Sequence, residues 1–404
     1  MALAMLREAD RNLRELATHA VGGALRADVR TRAYIFNVVL QDKAIADRLR
    51  KYPTWISSRN LANETSDEAV QALVEAVTGR YDLVARYYQV KRRLLGLDRL
   101  YEWDRYAPLE EATRRIDWSD ARDMVMSSYH RFSARAGRIV QEFFERSWID
   151  APVAEGKEGG AYCAFATPDL HPFVMMNFTG QLNDALTLAH ELGHGVHDVL
   201  AGERNHIFDY HPPLTLAETA SVFGETLTFD AVMAEEPDPK VRLSMLCHQV
   251  EDAFATIFRQ VAMNRFEEAV HTARRTEGEL SIEQIGALWQ DRVQAMFGGS
   301  LHLTDEHDVW WSYVEHFVHA PGYVYAYAFG NLLALSIYQR YREIATPEFV
   351  DAYLDFLSYG GSMAPAEAVR KVGMDITDPG FWDAGLDILG GMVSQVEELA
   401  SLAG

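Results

Sequence analysis

From about Leu3 to Arg146 apolar residues recur at intervals of three and four, charges fill the gaps, and Gly and Pro are sparse. That period gives an α-helix one apolar face, so the spacing predicts a nearly continuous run of helices, turned at Pro53, Gly79 and Pro108. The texture changes near Ala151. APVAEGKEGGAY brings Pro and Gly, and AYCAFATPDLHPFVMMNFTG brings β-branched and aromatic residues between turn signals, which predicts one small sheet. Phe173 to Phe178 reads as an edge strand of that sheet, with backbone free to pair with an extended peptide. Helical periodicity then resumes: QLNDALTLAHELGHGVHDVL predicts a helix capped at Asn183 or Asp184, and TLAETASVFGETLTFDAVM predicts a second. Pro239 to Arg275 reads as one long helical segment, SIEQIGALW as a helix opened by a Ser281/Gln284 capping box, and YVYAYAFGNLLALSIYQRYREI as another helix. The pattern therefore predicts a mainly α fold with one small β-sheet. It divides into a helical part over 1–150 and a part over 151–404 that holds the sheet and the motifs.

Composition narrows the function classes. With 404 residues, 48% of them hydrophobic, the chain has enough apolar material for one large domain or two to three smaller ones. Its 59 acidic against 38 basic residues give a net charge of −21, which repels phosphate backbones and argues against nucleic acid or an anionic membrane as a partner. Cys163 and Cys247 are too few for a disulfide framework and suit a reducing compartment. The opening MALAMLREADRNLRE turns charged within a few residues, and no run approaches the roughly 18 apolar residues of a membrane span. A soluble, cytoplasmic protein is the expectation.

Chemistry enters at ALTLAHELGHGVHDVL. Histidines four apart stack on one helix face, so His190 and His194 can converge on one ion. Glu191 sits about 100° further round, beside the ion rather than on it, where a base acting on a metal-activated water belongs. On average residue frequencies HExxH arises by chance in on the order of one in a hundred chains of this length, so its context matters. A catalytic zinc takes three protein ligands, and Glu218, on the helical segment after the His211–Pro213 turn, supplies the third. Glu225 lies seven residues on along the same face, and His197 and Asp198 are candidates for orienting the ligands. Gly193 and Gly195 allow another element to approach the motif closely.

A second constellation is EHFVHAPGYVYAYAFG, where His316 and His319 precede a Pro-Gly turn and tyrosines at positions 323, 325 and 327. Phenol and imidazole donors suit the oxyanion that develops during peptide hydrolysis. Tyr327 reads better as a packed core aromatic.

With HPFVMMNFTGQLNDALTLAHELGHGVH, LAETASVFGE, TIFRQVAMNRFE, HFVHAPGYVYAYAFG and YLDFLSYGGSMAPAEAVRKVGMDI, the chain resembles the thimet oligopeptidase family of zinc metallopeptidases, and within it the oligoendopeptidase F branch. The resemblance spreads over most of the chain. It implies a gluzincin-type fold, a small sheet beside the HExxH helix, a deep cleft and one zinc per chain. It maps the zinc ligands to His190, His194 and Glu218, and the general base to Glu191. It also implies transition-state and substrate contacts from His316, Tyr323 and Tyr325, ahead of His319 and Tyr327. The activity implied is endopeptidase cleavage of short oligopeptides. Members of the branch usually carry a further N-terminal region, and this chain enters their pattern around ADVRTRAYIFNVVLQDKAIADRL, with the helical part over 1–150 as a shortened cleft wall. Two rivals stand beside this reading: a zinc exopeptidase of related fold, and a catalytically silent zinc or peptide-binding module.

Overall fold

The computed structural model describes residues 2–109 and 114–403. Helices dominate, as the apolar period predicts. Arg11–Arg50 is one 40-residue helix, opened by Asp10, whose carboxylate accepts from the Asn12 N–H, and closed by Lys51 in the left-handed region. Pro53 lies in the turn that follows, Gly79 ends the helix Asp67–Gly79, and Pro108 lies in the irregular stretch after the short turn Glu102–Asp104. The Pro239 to Arg275 segment forms two helices, Pro239–Ala253 and Arg259–Glu277, joined through one π-helical turn. At Ser281 the capping box forms: the Gln284 N–H donates to Ser281 Oγ at 3.2 Å and the Ser281 N–H donates to Gln284 Oε1 at 2.8 Å. Among the described residues no helix is long and apolar enough to cross a membrane.

Packing crosses residue 150 freely. The long N-terminal helix lies on the segment Asp305–Tyr313 and on Arg259–Glu277, while the C-terminal helix Pro379–Ala403 packs against Tyr81–Leu94 and Asp67–Gly79. One buried apolar cluster runs through both parts and includes Phe36, Leu73, Tyr87, Leu192, Phe266, Phe329 and Trp382.

The sheet has strands β1 (Ile149–Pro152), β2 (Tyr162–Ala164) and β3 (Phe173–Phe178) in the order β1-β3-β2. β3 pairs parallel with β1 and antiparallel with β2. The expectation that Phe173 to Phe178 is an edge is therefore corrected. Both of its sides are taken, because β2 folds back on one side while β1 aligns on the other, and β1 and β2 are the outer strands instead.

The HELGH motif rides on the helix Leu182–Arg204, which follows β3 directly. Its cap also differs from expectation. Gln181 holds the cap position, and Asp184 reaches back from the first turn to accept from the backbone N–H groups of Gln181 at 3.0 Å and Thr179 at 2.7 Å. A carboxylate there also complements the positive end of the helix dipole. Most of this helix is buried, with Ala185, Leu188, Ala189, Leu192 and Leu200 fully covered.

The partner helix Thr219–Glu235 crosses the motif helix at Gly193. A Cβ there would sit 2.6 Å from Ser221 Cα and collide with the Ala220 carbonyl as well. Both obstacles are backbone, which a rotamer change cannot move. Gly195, two residues on, accommodates the Phe143 ring. Gly193→Ala is therefore expected to destabilise the fold by about 1–3 kcal/mol or more through overpacking. Gly391→Ala, at an exposed helical position with nothing within 4 Å of the added carbon, is expected to be neutral or to gain about 0.5–1 kcal/mol. Denaturant melts of the two variants check this, and equal stabilities would contradict the crossing.

Candidate metal centre

The two histidines of the motif face the partner helix across the gap that Gly193 keeps narrow. Glu218 stands at a break in the helical path, between the short helix Leu214–Ala217 and Thr219–Glu235, with φ −87° and ψ 1°. Its Oε2 lies 3.4 Å from His190 Nε2 and 3.4 Å from His194 Nε2. One donor atom from each of the three lies within 4.8 Å of the others. A tetrahedral zinc with bonds of about 2.0–2.1 Å has ligand-to-ligand edges of about 3.3–3.4 Å, so each nitrogen already stands from this oxygen at the separation such an ion requires. The two-His, one-carboxylate donor set fits zinc chemically as well.

Electrostatics favour a cation here. Burial alone would lower the His190 pKa, but hydrogen bonds to Glu218 and Glu225 outweigh it and carry the group up to about 10. Burial would raise Glu218, yet the two imidazoles hold it well below the usual carboxylate range. Two carboxylates around one imidazole favour positive charge at that point, and a divalent ion meets the same demand as a proton.

Glu191 is buried beside the cluster. Desolvation lifts its carboxyl pKa above the ordinary value, against the pull of His190 and His194, and the Cys163 backbone N–H of β2 donates to it. The edge strand thus touches the carboxylate that follows the first histidine. Glu225 meets its expectation geometrically: its Oε2 is 2.9 Å from His190 Nδ1, and its Oε1 accepts from Gln249 Nε2 at 2.9 Å. Gln249 gave no signal in the sequence, being one amide on a separate helix. Asp198 serves a different neighbour from the one expected. It is buried and accepts from the Cys163 thiol at 3.7 Å, so it ties the motif helix to β2. Burial raises Asp198 to about 8 and lowers the adjacent His197 to about 3.

The EHFVHAPGYVYAYAFG stretch forms a short helix His316–His319, a turn, and the helix Tyr325–Ile344. His316 stacks on Tyr323 at 5.9 Å between ring centres, and its Nε2 lies 3.1 Å from Tyr327 Oη. Tyr323 packs edge-on against Tyr327, and its phenol pKa is raised by burial, by Tyr327 and by the charge of Glu218. Tyr325 does not join them. It is fully buried, and its hydroxyl accepts from Asn63 Nδ2 at 2.9 Å on the far side of the helix. Tyr327, read from the sequence as core, takes its place, while His319 is exposed. The turn itself hangs from Glu267, the last residue of TIFRQVAMNRFE. Fully buried, it accepts from the Gly322 N–H at 2.7 Å, and burial pushes its pKa up to about 8. Gly322 has φ +76°, which a residue with a side chain rarely adopts.

A helical body with a small sheet, an HExxH helix and a glutamate at the head of the next helix define the gluzincin class of zinc-peptidase folds. The chain belongs to Peptidase family M3, whose sequence profile matches residues 4–388. It is 28% identical over 353 residues to the oligopeptidase PepF of Bacillus subtilis, covering 87% of this chain and 52% of that protein. A crystal structure from Chlamydophila abortus superposes with a TM-score of 0.90 at 25% identity, over 99% of this chain and 66% of the other. The structure of oligoendopeptidase F from Enterococcus faecium matches with a TM-score of 0.79 at 22% identity, over 98% and 65%. The resemblance drawn from the motifs, branch included, is thereby borne out. The chain spans about half the length of PepF.

If Glu225 orients His190, Glu225→Ala is expected to weaken divalent metal binding by about 10- to 100-fold, as losses of ligand-orienting groups do elsewhere. Competition against a zinc-chelating dye measures this. An unchanged affinity would mean that His190 needs no such support.

Proposed function

We propose that the chain is a zinc-dependent endopeptidase that hydrolyses internal bonds of short oligopeptides, with His190, His194 and Glu218 holding one zinc and Glu191 acting as general base. The observation that carries this reading is the convergence of the three donor atoms within 4.8 Å beside a buried glutamate with a raised pKa. When bound, zinc would polarise the scissile carbonyl and bring the pKa of a water from 15.7 to about 7. Glu191 takes that water's proton and hands it to the departing amine; its raised pKa narrows the gap between the two tasks. Glu225 keeps the His190 ring turned and its Nδ1 engaged. His316, Tyr323 and Tyr327 supply hydrogen bonds to the developing oxyanion; losing one such donor costs about 2.7–4 kcal/mol of barrier.

The outer edge of β2, whose Cys163 N–H serves Glu191, suits an extended peptide that pairs with the remaining backbone groups while its side chains stay unspecified. The helices before residue 150 form one wall of the cleft and the remainder forms the catalytic part. The free thiols of Cys163 and Cys247 fit a reducing compartment, which we take to be the cytoplasm.

Glu191→Gln is expected to retain zinc and to lose peptide cleavage by at least about 100-fold, at the low end of a general base's contribution. Internally quenched peptides with mass-spectrometric mapping of the cuts read the effect, and full activity in the variant would refute the assignment. Strand addition makes a separate forecast. Peptides N-methylated next to the scissile bond should be poor substrates, and unchanged turnover would count against β2 as the docking edge.

A further inference from the structure

Beyond the His316–Tyr327 pair lies a pocket of about 520 Å³ whose polar lining includes Arg7, Arg105, Tyr106, Arg259, Glu315 and His316. Three guanidiniums gather on one phenol. Arg259 Nη1 and Arg105 Nη2 donate to Tyr106 Oη at 2.7 and 2.9 Å, and the Arg105 and Arg7 guanidinium carbons stand 4.4 and 5.1 Å from the centre of the Tyr106 ring. None of the three arginines forms an ion pair with a carboxylate among the described residues. Glu251, which borders Arg105 and Arg259, is held by Lys91 Nζ at 2.6 Å and by the Tyr87 hydroxyl at 2.5 Å. The Nε atoms of Arg105 and Arg259 are buried and have no hydrogen-bond partner.

Cations kept together, partly out of water and with no carboxylate paired to them, are costly unless an anion joins them. Glu315, exposed at the rim, is one carboxylate against three guanidiniums. The contrast with the rest of the molecule is sharp, because the chain as a whole carries −21. On so acidic a body, a cationic pocket is where the field draws a negative group in. A guanidinium fork matches a carboxylate with two parallel hydrogen bonds, and Arg105 and Arg259 each commit only one Nη to Tyr106.

Position links the pocket to the peptide site. His316 lines it, and the same imidazole stacks on Tyr323, whose phenol feels the charge of Glu218. An extended peptide advances about 3.3–3.6 Å per residue, so a peptide that runs past His316 carries its next side chains, or its terminus, toward the pocket. We infer that the arginine pocket is a substrate subsite that receives a carboxylate of the bound peptide, either an Asp or Glu side chain or the free C-terminus. This rests on the peptidase reading above.

The test separates the two. The zinc-loaded Glu191→Gln protein serves as a non-cleaving trap, and fluorescence anisotropy measures its affinity for four labelled peptides. These are one with glutamate, its glutamine counterpart, and each of these with a free or an amidated C-terminus. One of the two carboxylates is expected to tighten binding by about 10-fold or more, the worth of a charge-assisted hydrogen bond. The pair that differs identifies the source. Adding Arg105→Gln should bring the ratio close to one, and Arg105→Lys should restore part of it; Arg7→Gln, at an exposed position, should shrink the ratio even if Arg105→Gln fails to fold. Equal affinity of the trap for all four peptides, or a ratio unmoved by both glutamine variants, would overturn the subsite. Turnover of the neutral peptide by the unsubstituted protein is a separate readout. Cleavage without carboxylate preference sinks the subsite alone, whereas preference without cleavage sinks the peptidase reading alone.

Discussion

The close crossing of two helices at Gly193 is the constraint on which the site depends. Had that residue any side chain, the partner helix would be pushed off its backbone contacts at Ala220 and Ser221, and Glu218, two residues before Ala220, would move with it. Helix periodicity places His190 and His194 on the face that meets this crossing. The helical break at Glu218 then turns its carboxylate toward both imidazoles, where Ser221 Oγ donates to the same oxygen at 2.7 Å. A methyl group's worth of space thus decides whether the three donors can meet. The tyrosine helix closes from the other side, where a Cβ at Gly330 would come 3.3 Å from the Glu218 Cβ.

Around this centre the structure assigns different tasks to similar groups by changing their surroundings. Glu191, Glu218, Glu225 and Glu267 are all glutamates at least partly removed from water. Glu218 is held ionised by two imidazoles, Glu191 is lifted by burial with only partial compensation, and Glu267 is lifted further in a fully buried position. Glu225 divides its two oxygens between His190 and Gln249. The Gly322 turn shows the same economy of means: one buried carboxylate oxygen fixes the start of the segment that carries Tyr323 and Tyr327.

Local repetition made much of this legible in the sequence. The i, i+4 histidines, the seven-residue step from Glu218 to Glu225 and the Ser281/Gln284 box are short spacings within one helix or counted from its cap, and they meet in space as the helix requires. What failed was non-local or depended on a boundary. Which strand of the sheet is central follows from β1 and β2 both reaching β3, a pairing that no single strand reveals. The tyrosines were read as an alternating series. Helical geometry begins just before Tyr325, so positions 323 and 327 share a face and 325 points about 200° away, into the core with Asn63. The roles of Gln249 and Glu267, and the gathering of Arg7, Arg105 and Arg259, join segments far apart in sequence and left no periodic trace.

The central claim is that this helix crossing builds a metal centre from His190, His194 and Glu218, and anomalous diffraction at the zinc edge from crystals grown with zinc tests it most directly. The account predicts one strong peak bonded at about 2.0–2.2 Å to His190 Nε2, His194 Nε2 and a Glu218 carboxylate oxygen, with Glu191 beside it but not ligating. A peak held by other residues, or none between these three in crystals that bind zinc elsewhere, would contradict it.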